Sequence, residues 1–198
     1  RRFLQNAATI AIVPAAVLGR VQAAPSNRLT VGLIGAGGRG TGVMNSFLGE
    51  QDAQMIGVCD PYETHFRDKT AGRTYGWKPA AELVGRRYKS KPCAHYTDYR
   101  ELCARKDLDI VIVGTPDHWH AVQTLEALRN GKDVDCEKPV THFFAEGQAV
   151  CREVTKHKAI FQTGSQQRSE HRFRLAVEIV RNGLLGDIKE VQVGLPGG

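Results

Sequence analysis

The sequence lacks the features that define several specialised classes of protein. Its five cysteines are odd in number and form no C-x-x-C pair, which argues against a disulfide framework or a zinc site. Lysine and arginine are scattered among acidic residues and form no basic stripe, so nucleic-acid binding is not expected. The apolar stretch at residues 7–18 is short for a membrane span and contains Pro14. These absences leave an ordinary globular protein as the expected class. Its cysteines are expected to act as small buried hydrophobic residues.

The first 24 residues differ in composition from the rest of the chain. They contain three arginines, Arg1, Arg2 and Arg20, and no acidic residue. Arg1 and Arg2 precede a short apolar stretch that ends in small residues near Ala23, the pattern of a cleavable export signal. The opening R-R-F-L-Q resembles a twin-arginine signal, and an ordinary secretory signal or an amphipathic helix is the alternative. We interpret residues 1–24 as an export signal and expect a periplasmic or exported protein with no stable membrane span once the signal is removed.

Apolar runs alternate with amphipathic segments through the middle of the chain. Strands are predicted at 29–34, 54–59, 108–115, 133–137 and 159–164, and helices at 39–50, 98–105, 120–131 and 145–158. Alternation of this kind is typical of a parallel sheet with helices on both faces. The fold class predicted is therefore α/β, a Rossmann doubly wound parallel sheet, with the dinucleotide-binding domain at residues 28–164.

Three predictions concern the segments between these elements. A helix is expected to begin at about Tyr62, after the second strand. Residues 72–95 are rich in glycine, lysine, arginine and proline and carry little periodicity, so they are expected to form an insertion loop. Thr97 is expected to cap the helix that follows.

The pattern changes after Gly164. A helix is predicted at 171–183, followed at 186–195 by a strand with alternating apolar and polar residues, as in a half-exposed open sheet. A single strand cannot satisfy its own backbone groups. Residues 165–198 are therefore interpreted as the beginning of an incomplete C-terminal α+β domain, which would bind substrate and form contacts between subunits.

Three glycines, Gly35, Gly37 and Gly40, follow the first predicted strand with the spacing G-x-G-x-x-G and open a helix. This is the fingerprint of a dinucleotide-binding loop, in which the glycines permit a tight turn, close approach to the pyrophosphate and close helix packing. The helix N-terminus supplies free N–H groups to the phosphates. Gly38 and Arg39 lie in the same loop, where Arg39 adds positive charge. A purely structural glycine turn is the alternative.

Asp60 ends the second predicted strand, 20 residues after Gly40. A carboxylate at that place can accept hydrogen bonds from ribose hydroxyls and repels a 2′-phosphate, which favours NAD over NADP. Arg67 argues the other way, because a nearby arginine can neutralise the 2′-phosphate of NADP.

Four segments follow one another in an order that resembles one known family. They read V-G-L-I-G-A-G-G-R-G, V-I-V-G-T-P-D-H-W-H-A, C-E-K-P-V-T-H and Q-T-G-S-Q-Q-R-S. Together they resemble the Gfo/Idh/MocA oxidoreductases, named for glucose–fructose oxidoreductase and inositol dehydrogenase, over about residues 28–198. The resemblance implies a Rossmann domain that binds NAD and an activity on hydroxyl groups of a sugar, inositol or related polyol.

The resemblance also implies roles for the T-P-x-x-x-H segment. Thr115 and Pro116 would lie along the cofactor, with His118 beside them. His120 would begin the next helix and is a candidate catalytic residue. A metal site formed by Asp117 and the two histidines is not expected, because residues two apart do not share a helix face and no third ligand has suitable spacing.

The E-K-P segment is the most specific part of the resemblance. It implies that Glu137 helps to place the cofactor and that Lys138 lies by the nicotinamide and the reacting hydroxyl, as a catalytic and cofactor-binding residue. A buried lysine ammonium can hydrogen-bond a developing alkoxide or, with a lowered pKa, take part in proton transfer. In the last segment, Gly164, Gln166 and Arg168 would approach cofactor and substrate.

Three functions remain open from the sequence. The first is an NAD-dependent dehydrogenase acting on a CH–OH group. The second is a glycosidase similar to the same family, which oxidises its sugar transiently; the resemblance implies that such glycosidases depart from E-K-P at the lysine. The third is a non-catalytic nucleotide-binding sensor. Family members carry further acid–base groups in a second domain, so this chain is expected to be inactive alone, while the full-length protein is expected to be a homo-oligomer.

Overall fold

The computed structural model describes residues 27–66, 72 and 74–194; the predicted export signal at 1–24 and Arg67 lie outside the described residues. The described strands are β1 (Leu29–Ile34), β2 (Ala53–Cys59), β3 (His65–Phe66), β4 (Thr74–Tyr75), β5 (Ala94–Tyr96), β6 (Ile110–Val113), β7 (Asp133–Glu137) and β8 (Phe161–Gly164). The helices are α1 (Gly38–Gly49), α2 (Trp77–Tyr88), α3 (Tyr99–Cys103), α4 (Asp117–Arg129), α5 (Phe144–His157) and α6 (His171–Arg181).

Six of the strands form one parallel sheet in the order β5-β2-β1-β6-β7-β8. The chain leaves the centre at β1, runs to one edge, and returns to β6 before it runs to the other edge. The predicted Rossmann-like α/β fold is confirmed. Because β1 and β6 are neighbours from which the chain diverges, the loops after them open a crevice where ligands bind in folds of this kind.

The sheet separates two hydrophobic cores. On one face α1 and α2 pack over the first half of the sheet, with Leu33, Met44 and Ile112 fully buried there. On the other face α3, α4 and α5 pack over Val111, Val134 and their neighbours. This arrangement explains why β6 is apolar on both faces, whereas β7 alternates between buried apolar and polar residues.

Helix α2 is the main error of the sequence prediction, which placed an insertion loop at 72–95. Its apolar face is built from small residues, Ala80, Ala81 and Val84, with spacing that fits a helix. Pro79 occupies the third position of the helix, within the first turn, where a missing N–H costs little. The frequent charges lie on the exposed side of this helix and hid its periodicity.

Two smaller predictions are also wrong. No helix begins at Tyr62; the chain instead enters the short antiparallel hairpin of β3 and β4, in which His65 pairs with Tyr75. Thr97 does not cap α3, because the N-cap is Asp98, whose side chain accepts a hydrogen bond from the backbone N–H of Arg100. Aspartate and threonine side chains are both favourable N-caps, so the prediction placed the start of α3 one residue too early.

The end of the described chain contains α6 but not the strand predicted at 186–195. Residues 187–194 have no regular secondary structure and are exposed. No described strand lies beside them to pair with their backbone groups, which is the physical reason that the alternating pattern forms no strand here. Helix α6 is present as predicted, and none of its residues is buried. Within the described ranges, no helix combines the length and apolar character needed to cross a membrane.

Candidate functional site

The glycine loop lies at the centre of the sheet's carboxyl edge and is held by backbone contacts. Gly35 has a φ of +89°, and a Cβ there would lie 2.7 Å from the backbone nitrogen of Thr115. A Cβ on Gly40 would overlap the carbonyl oxygen of Gly35. One on Gly114 would lie 2.6 Å from the Cα of Gly40. The close approach of α1 to the ends of β1 and β6 therefore requires glycine at three positions.

Gly37 differs from these packing glycines because it faces open space. Apart from Gly37 itself and its chain neighbours, no heavy atom of the described residues lies within 4 Å of the position that its Cβ would occupy. Gly37 is the N-cap of α1, and no side chain caps this end of the helix by a hydrogen bond. The first-turn N–H groups of α1 are thus available to an anionic ligand, and the space in front of them admits one. These features fit the pyrophosphate of a dinucleotide.

Asp60, the predicted ribose ligand, lies directly beside the loop. The residue is 6% exposed, and its carboxylate accepts hydrogen bonds from the N–H groups of Ala36, at 2.9 Å, and Tyr62, at 3.0 Å. These bonds fix the side chain and tie the end of β2 to the glycine loop, a second role that the sequence did not indicate. Each carboxylate oxygen retains acceptor capacity for a ribose hydroxyl. That contact stays a prediction.

Arg39 and Glu137 join the glycine loop to the end of β7. The guanidinium Nη2 lies 2.5 Å from Oε1 of Glu137, whose side chain is only 7% exposed. Glu137 also packs against Gly164, where a Cβ would lie 2.7 Å from the same carboxylate oxygen. The positive charge of Arg39, predicted to serve the phosphates, is therefore shared with a buried carboxylate. Gly164 is needed because Glu137 fills the space beside it.

A second acidic residue, Asp135, lies on the same face of β7 as Glu137. Burial raises the pKa of the Asp135 carboxyl, and the nearby charge of Glu137 raises it further, while Arg39 acts in the opposite direction. The cofactor end of β7 thus holds two carboxylates and one guanidinium in close proximity.

His120 is buried and connects two loops of the site. It is the fourth residue of α4, is 2% exposed, and has Nδ1 at 2.6 Å from the carbonyl oxygen of Pro139 and Nε2 at 2.8 Å from that of Thr115. Carbonyl oxygens only accept, so a neutral ring donates to one of them and a doubly protonated ring to both. The prediction that His120 is catalytic does not fit this geometry, because neither nitrogen is free to reach a substrate.

Gln123 is a member of the site that sequence reasoning missed. It is buried one turn beyond His120 on α4, and its Oε1 accepts a hydrogen bond of 2.7 Å from the hydroxyl of Thr115. Together the two side chains hold both the backbone and the side chain of Thr115. The available signal was the occurrence of two polar residues three apart, in line with the buried Ala127, on one face of a helix of mixed composition.

Lys138 follows β7 at the carboxyl edge and is exposed. Its peptide bond to Pro139 is cis, and the Pro139 carbonyl is the one held by His120. Among the described residues, no acidic side chain forms an ion pair with the Lys138 ammonium. The Lys138 side chain is thus exposed rather than buried. Its position directly after β7, at the edge of the sheet, agrees with the prediction.

The remaining predicted residues lie outside this network of contacts. His118 is exposed and has Nδ1 3.6 Å from Asp117. Pro116 is the exposed N-cap residue of α4. Gln166 and Arg168 belong to an exposed 3-10 turn, Gln166–Ser169, between β8 and α6. Their contacts with a cofactor stay predictions. No cluster of three potential metal-binding side chains occurs in the part of the chain that the structure describes.

A parallel sheet whose central loop presents open N–H groups beside a fixed acidic residue defines a dinucleotide-binding Rossmann domain. Residues 29–165 match the model of the oxidoreductase family with an NAD-binding Rossmann fold, Gfo/Idh/MocA. The chain belongs to this family, which confirms both the predicted resemblance and NAD as the cofactor class. The preference for NAD over NADP depends on Asp60 and stays a prediction.

Three relatives show the range of proteins that this chain resembles. It is 28% identical to 2,7-anhydro-N-acetylneuraminate hydratase of Mediterraneibacter gnavus over 75% of the chain and 36% of that protein. It is also 28% identical to α-N-acetylgalactosaminidase of Shewanella oneidensis, over 92% of the chain and 39% of that protein. The scyllo-inositol dehydrogenase of Lactobacillus casei with bound NAD(H) and scyllo-inositol shares the fold, with a TM-score of 0.62 and 20% identity over 81% of this chain and 43% of that one.

These matches cover a limited part of each relative. The chain spans 36% and 39% of the two curated relatives. The family model that matches residues 29–165 describes the NAD-binding Rossmann fold, so the comparisons define the family and the cofactor class of this chain. Activity and substrate are properties of whole proteins and are treated as proposals.

Proposed function

We propose that the chain is the NAD-binding part of an enzyme that transfers a hydride to or from a hydroxyl-bearing carbon of a sugar, inositol or related polyol. The observation that carries the proposal is the position of Lys138. It follows β7 directly after Glu137, which the glycine loop holds through Arg39, and directly before Pro139, which His120 holds. The lysine backbone is thus fixed on both sides at the edge where the cofactor is expected.

NAD, when bound, supplies the acceptor or donor of the hydride. The chain supplies orientation and handling of the proton. Open N–H groups at Gly37 hold the pyrophosphate, Asp60 holds the ribose, and Thr115 borders the cofactor. The ammonium of Lys138 hydrogen-bonds the substrate oxygen and stabilises the negative charge that develops there as the hydroxyl proton passes to an acid–base group of the second domain, which the family resemblance implies.

The substrate class is supported by the relatives. One acts on a sialic acid derivative, one on an N-acetylgalactosamine glycoside, and one on an inositol, by their names. A sialic acid derivative and an N-acetylgalactosamine glycoside are sugar derivatives, and an inositol is a cyclic polyol. A sugar or cyclic polyol is therefore the substrate class that we propose for the full-length protein.

Replacement of Lys138 in the full-length protein tests the proposal. Lys138→Met should abolish NADH formation from a panel of inositols and hexoses and should leave the dissociation constant for NADH nearly unchanged. Lys106→Met is the matched control, because Lys106 is an exposed lysine ahead of β6, at the opposite end of the sheet. Wild-type turnover by Lys138→Met would contradict the assigned role.

A glycosidase or hydratase that oxidises its substrate transiently is the second candidate. It is favoured by the curated relatives, which bear hydratase and glycosidase names. Such an enzyme oxidises the ring, eliminates a group and reduces the product again, so it releases product without net NADH. Lys138 favours the dehydrogenase, because the family resemblance implies another residue at this position in the glycosidases. Net NADH during steady turnover supports the dehydrogenase, and its absence with glycoside cleavage supports the second candidate.

We also propose export of the protein, supported by Arg1, Arg2 and the apolar stretch that follows. Replacement of both arginines with lysine should prevent delivery to the periplasm, measured by cell fractionation. Unchanged delivery would contradict a twin-arginine route.

A further inference from the structure

The hairpin of β3 and β4 is attached directly to the glycine loop. The N–H of Gly76, which follows β4, donates a 3.0 Å hydrogen bond to the carbonyl oxygen of Ala36. Trp77 and Tyr62 are joined by a second backbone bond of 3.1 Å. Gly76 has a φ of +114°, and a Cβ there would lie 2.6 Å from the carbonyl oxygen of Glu63. The two ends of the hairpin are therefore fixed in place beside the loop.

Tyr75, at the end of β4, brings a hydroxyl group to the first turn of α1. Its phenolic oxygen is the nearest atom to the position of a Cβ on Gly38, at 3.2 Å. The ring is half-buried, and no described residue hydrogen-bonds to this hydroxyl. The group thus lies beside the open N–H groups of Gly37 and its neighbours, and among the described residues it has no hydrogen-bond partner.

His65, at the start of β3, is the residue of the hairpin that faces the predicted ribose ligand. Its Nε2 is 4.0 Å from Oδ2 of Asp60. Its ring packs edge-on against Tyr62, with centroids 5.9 Å apart, and at a tilt against Tyr75, at 6.1 Å. Three rings therefore border the same side of the site as Asp60, and one third of the His65 side chain remains exposed.

We propose that the hairpin forms a second wall of the subsite for the ADP half of NAD. The Tyr75 hydroxyl donates a hydrogen bond to a pyrophosphate oxygen held at the N-terminus of α1, and the His65 ring packs against the ribose bound by Asp60. Hydrogen bonds from a hydroxyl to a phosphate oxygen are among the stronger ones in proteins because the acceptor is charged. The inference rests on the proposed function and assigns two cofactor-binding residues that the glycine fingerprint does not contain.

The test measures binding of NAD and of ADP-ribose, which lacks the nicotinamide, to the full-length protein by calorimetry. Tyr75→Phe removes only the hydroxyl oxygen and should raise both dissociation constants about tenfold, as expected for the loss of a hydrogen bond to a charged group. Tyr99→Phe is the matched control, because that ring packs against Trp119 at the start of α4, on the other face of the sheet. It should leave both constants unchanged.

His65→Leu provides an independent variant and should weaken both ligands roughly threefold through lost ring packing. Urea unfolding of each variant verifies that it is folded. Binding of ADP-ribose by Tyr75→Phe within about twofold of wild type overturns the proposal, and so does a loss seen with NAD but not with ADP-ribose. A wild-type protein that binds neither ligand contradicts the proposed function itself, so the two failures are distinguishable.

Discussion

Arg39 and Glu137 are 98 residues apart in the sequence and meet with 2.5 Å between Nη2 and Oε1. The pair joins the first turn of α1 to the end of β7, the two places that carry the glycine fingerprint and the E-K-P segment. The carboxylate is nearly buried and the guanidinium is 41% exposed. The cofactor loop and the proposed catalytic lysine are thus connected by one ion pair.

Removal of Arg39 alone should destabilise the protein more than removal of both partners. Arg39→Gln leaves the buried Glu137 carboxylate without its charged partner, at a cost of about 1–3 kcal/mol in the free energy of unfolding. The double variant with Glu137→Gln removes that unpaired charge and should recover part of the loss. Urea unfolding of the two single variants and the double variant gives the coupling energy, and a coupling below about 0.3 kcal/mol would show that the pair contributes nothing to stability.

Three glycines of one segment should respond differently to alanine. Gly40→Ala should lower the free energy of unfolding by about 1–3 kcal/mol or more, because its Cβ overlaps the carbonyl oxygen of Gly35. Gly37→Ala meets open space at a φ of −78°, so stability should change by about 0.5 kcal/mol at most while NAD binding weakens about tenfold.

Gly42→Ala is the control within the same helix. It is exposed, has no neighbour within 4 Å of the added carbon, and should stabilise α1 by about 0.5–1 kcal/mol without affecting NAD binding. Urea unfolding and NADH fluorescence titration separate the two effects. Equal losses of stability in the Gly37 and Gly40 variants would refute the distinction between a ligand-facing and a packing glycine.

Asp135 should reduce stability at neutral pH. Burial and the charge of Glu137 raise its pKa in the folded protein above the ordinary value of 3.8. As the pH rises through that value the unfolded chain loses its proton first, so stability falls until the pH exceeds the raised pKa of the folded state. Asp135→Asn should therefore be more stable than wild type at neutral pH, and the difference should disappear below pH 3.8.

Asp107→Asn is a control that should change stability at neutral pH in the opposite direction, by lowering it. The hydrogen bond from Arg105 lowers the pKa of the exposed Asp107 carboxyl, so this group favours the folded state at neutral pH and loses that effect in acid. Thermal or urea unfolding across the acidic range measures both variants. A loss of stability in Asp135→Asn at neutral pH would contradict a raised pKa for the Asp135 carboxyl in the folded protein.

The five free cysteines should differ sharply in reactivity. Burial raises the pKa of the Cys59 and Cys103 thiols to about 12, and that of Cys93 and Cys136 to about 11, so little thiolate forms near neutral pH. Cys151 is exposed on α5. A thiol reagent should label one site rapidly in the folded protein, all five in urea, and none rapidly in Cys151→Ser. A second fast thiol would show that one of the buried sites opens readily.

The sequence predicts five of the six strands of the sheet, misses β5 in the segment expected to be a loop, and predicts the connections less well, for physical reasons. Strand β6 is apolar on both faces and can only be a buried parallel strand, and Gly35 to Gly40 carry their geometry in their spacing. Helix α2 was missed because its buried residues are small and its other positions are charged. The hairpin has strands of two residues each, too short for a periodic signal.

The contacts that complete the site could not be predicted from local patterns. His120 reaches Pro139 only after α4 and β7 have packed, and the Arg39–Glu137 pair needs the whole central sheet. The position of Lys138 was predictable, because E-K-P follows a strand. Its exposure was not, because burial of a side chain at the edge of a sheet depends on what packs there.

The two ring nitrogens of His120 lie within hydrogen-bond distance of carbonyl oxygens in the loops after β6 and β7. Because the imidazole is buried, its removal would leave a cavity between the Thr115 and Pro139 carbonyls. One side chain of α4 thus sets the spacing between the backbone of the Thr115 loop and the backbone that carries Lys138.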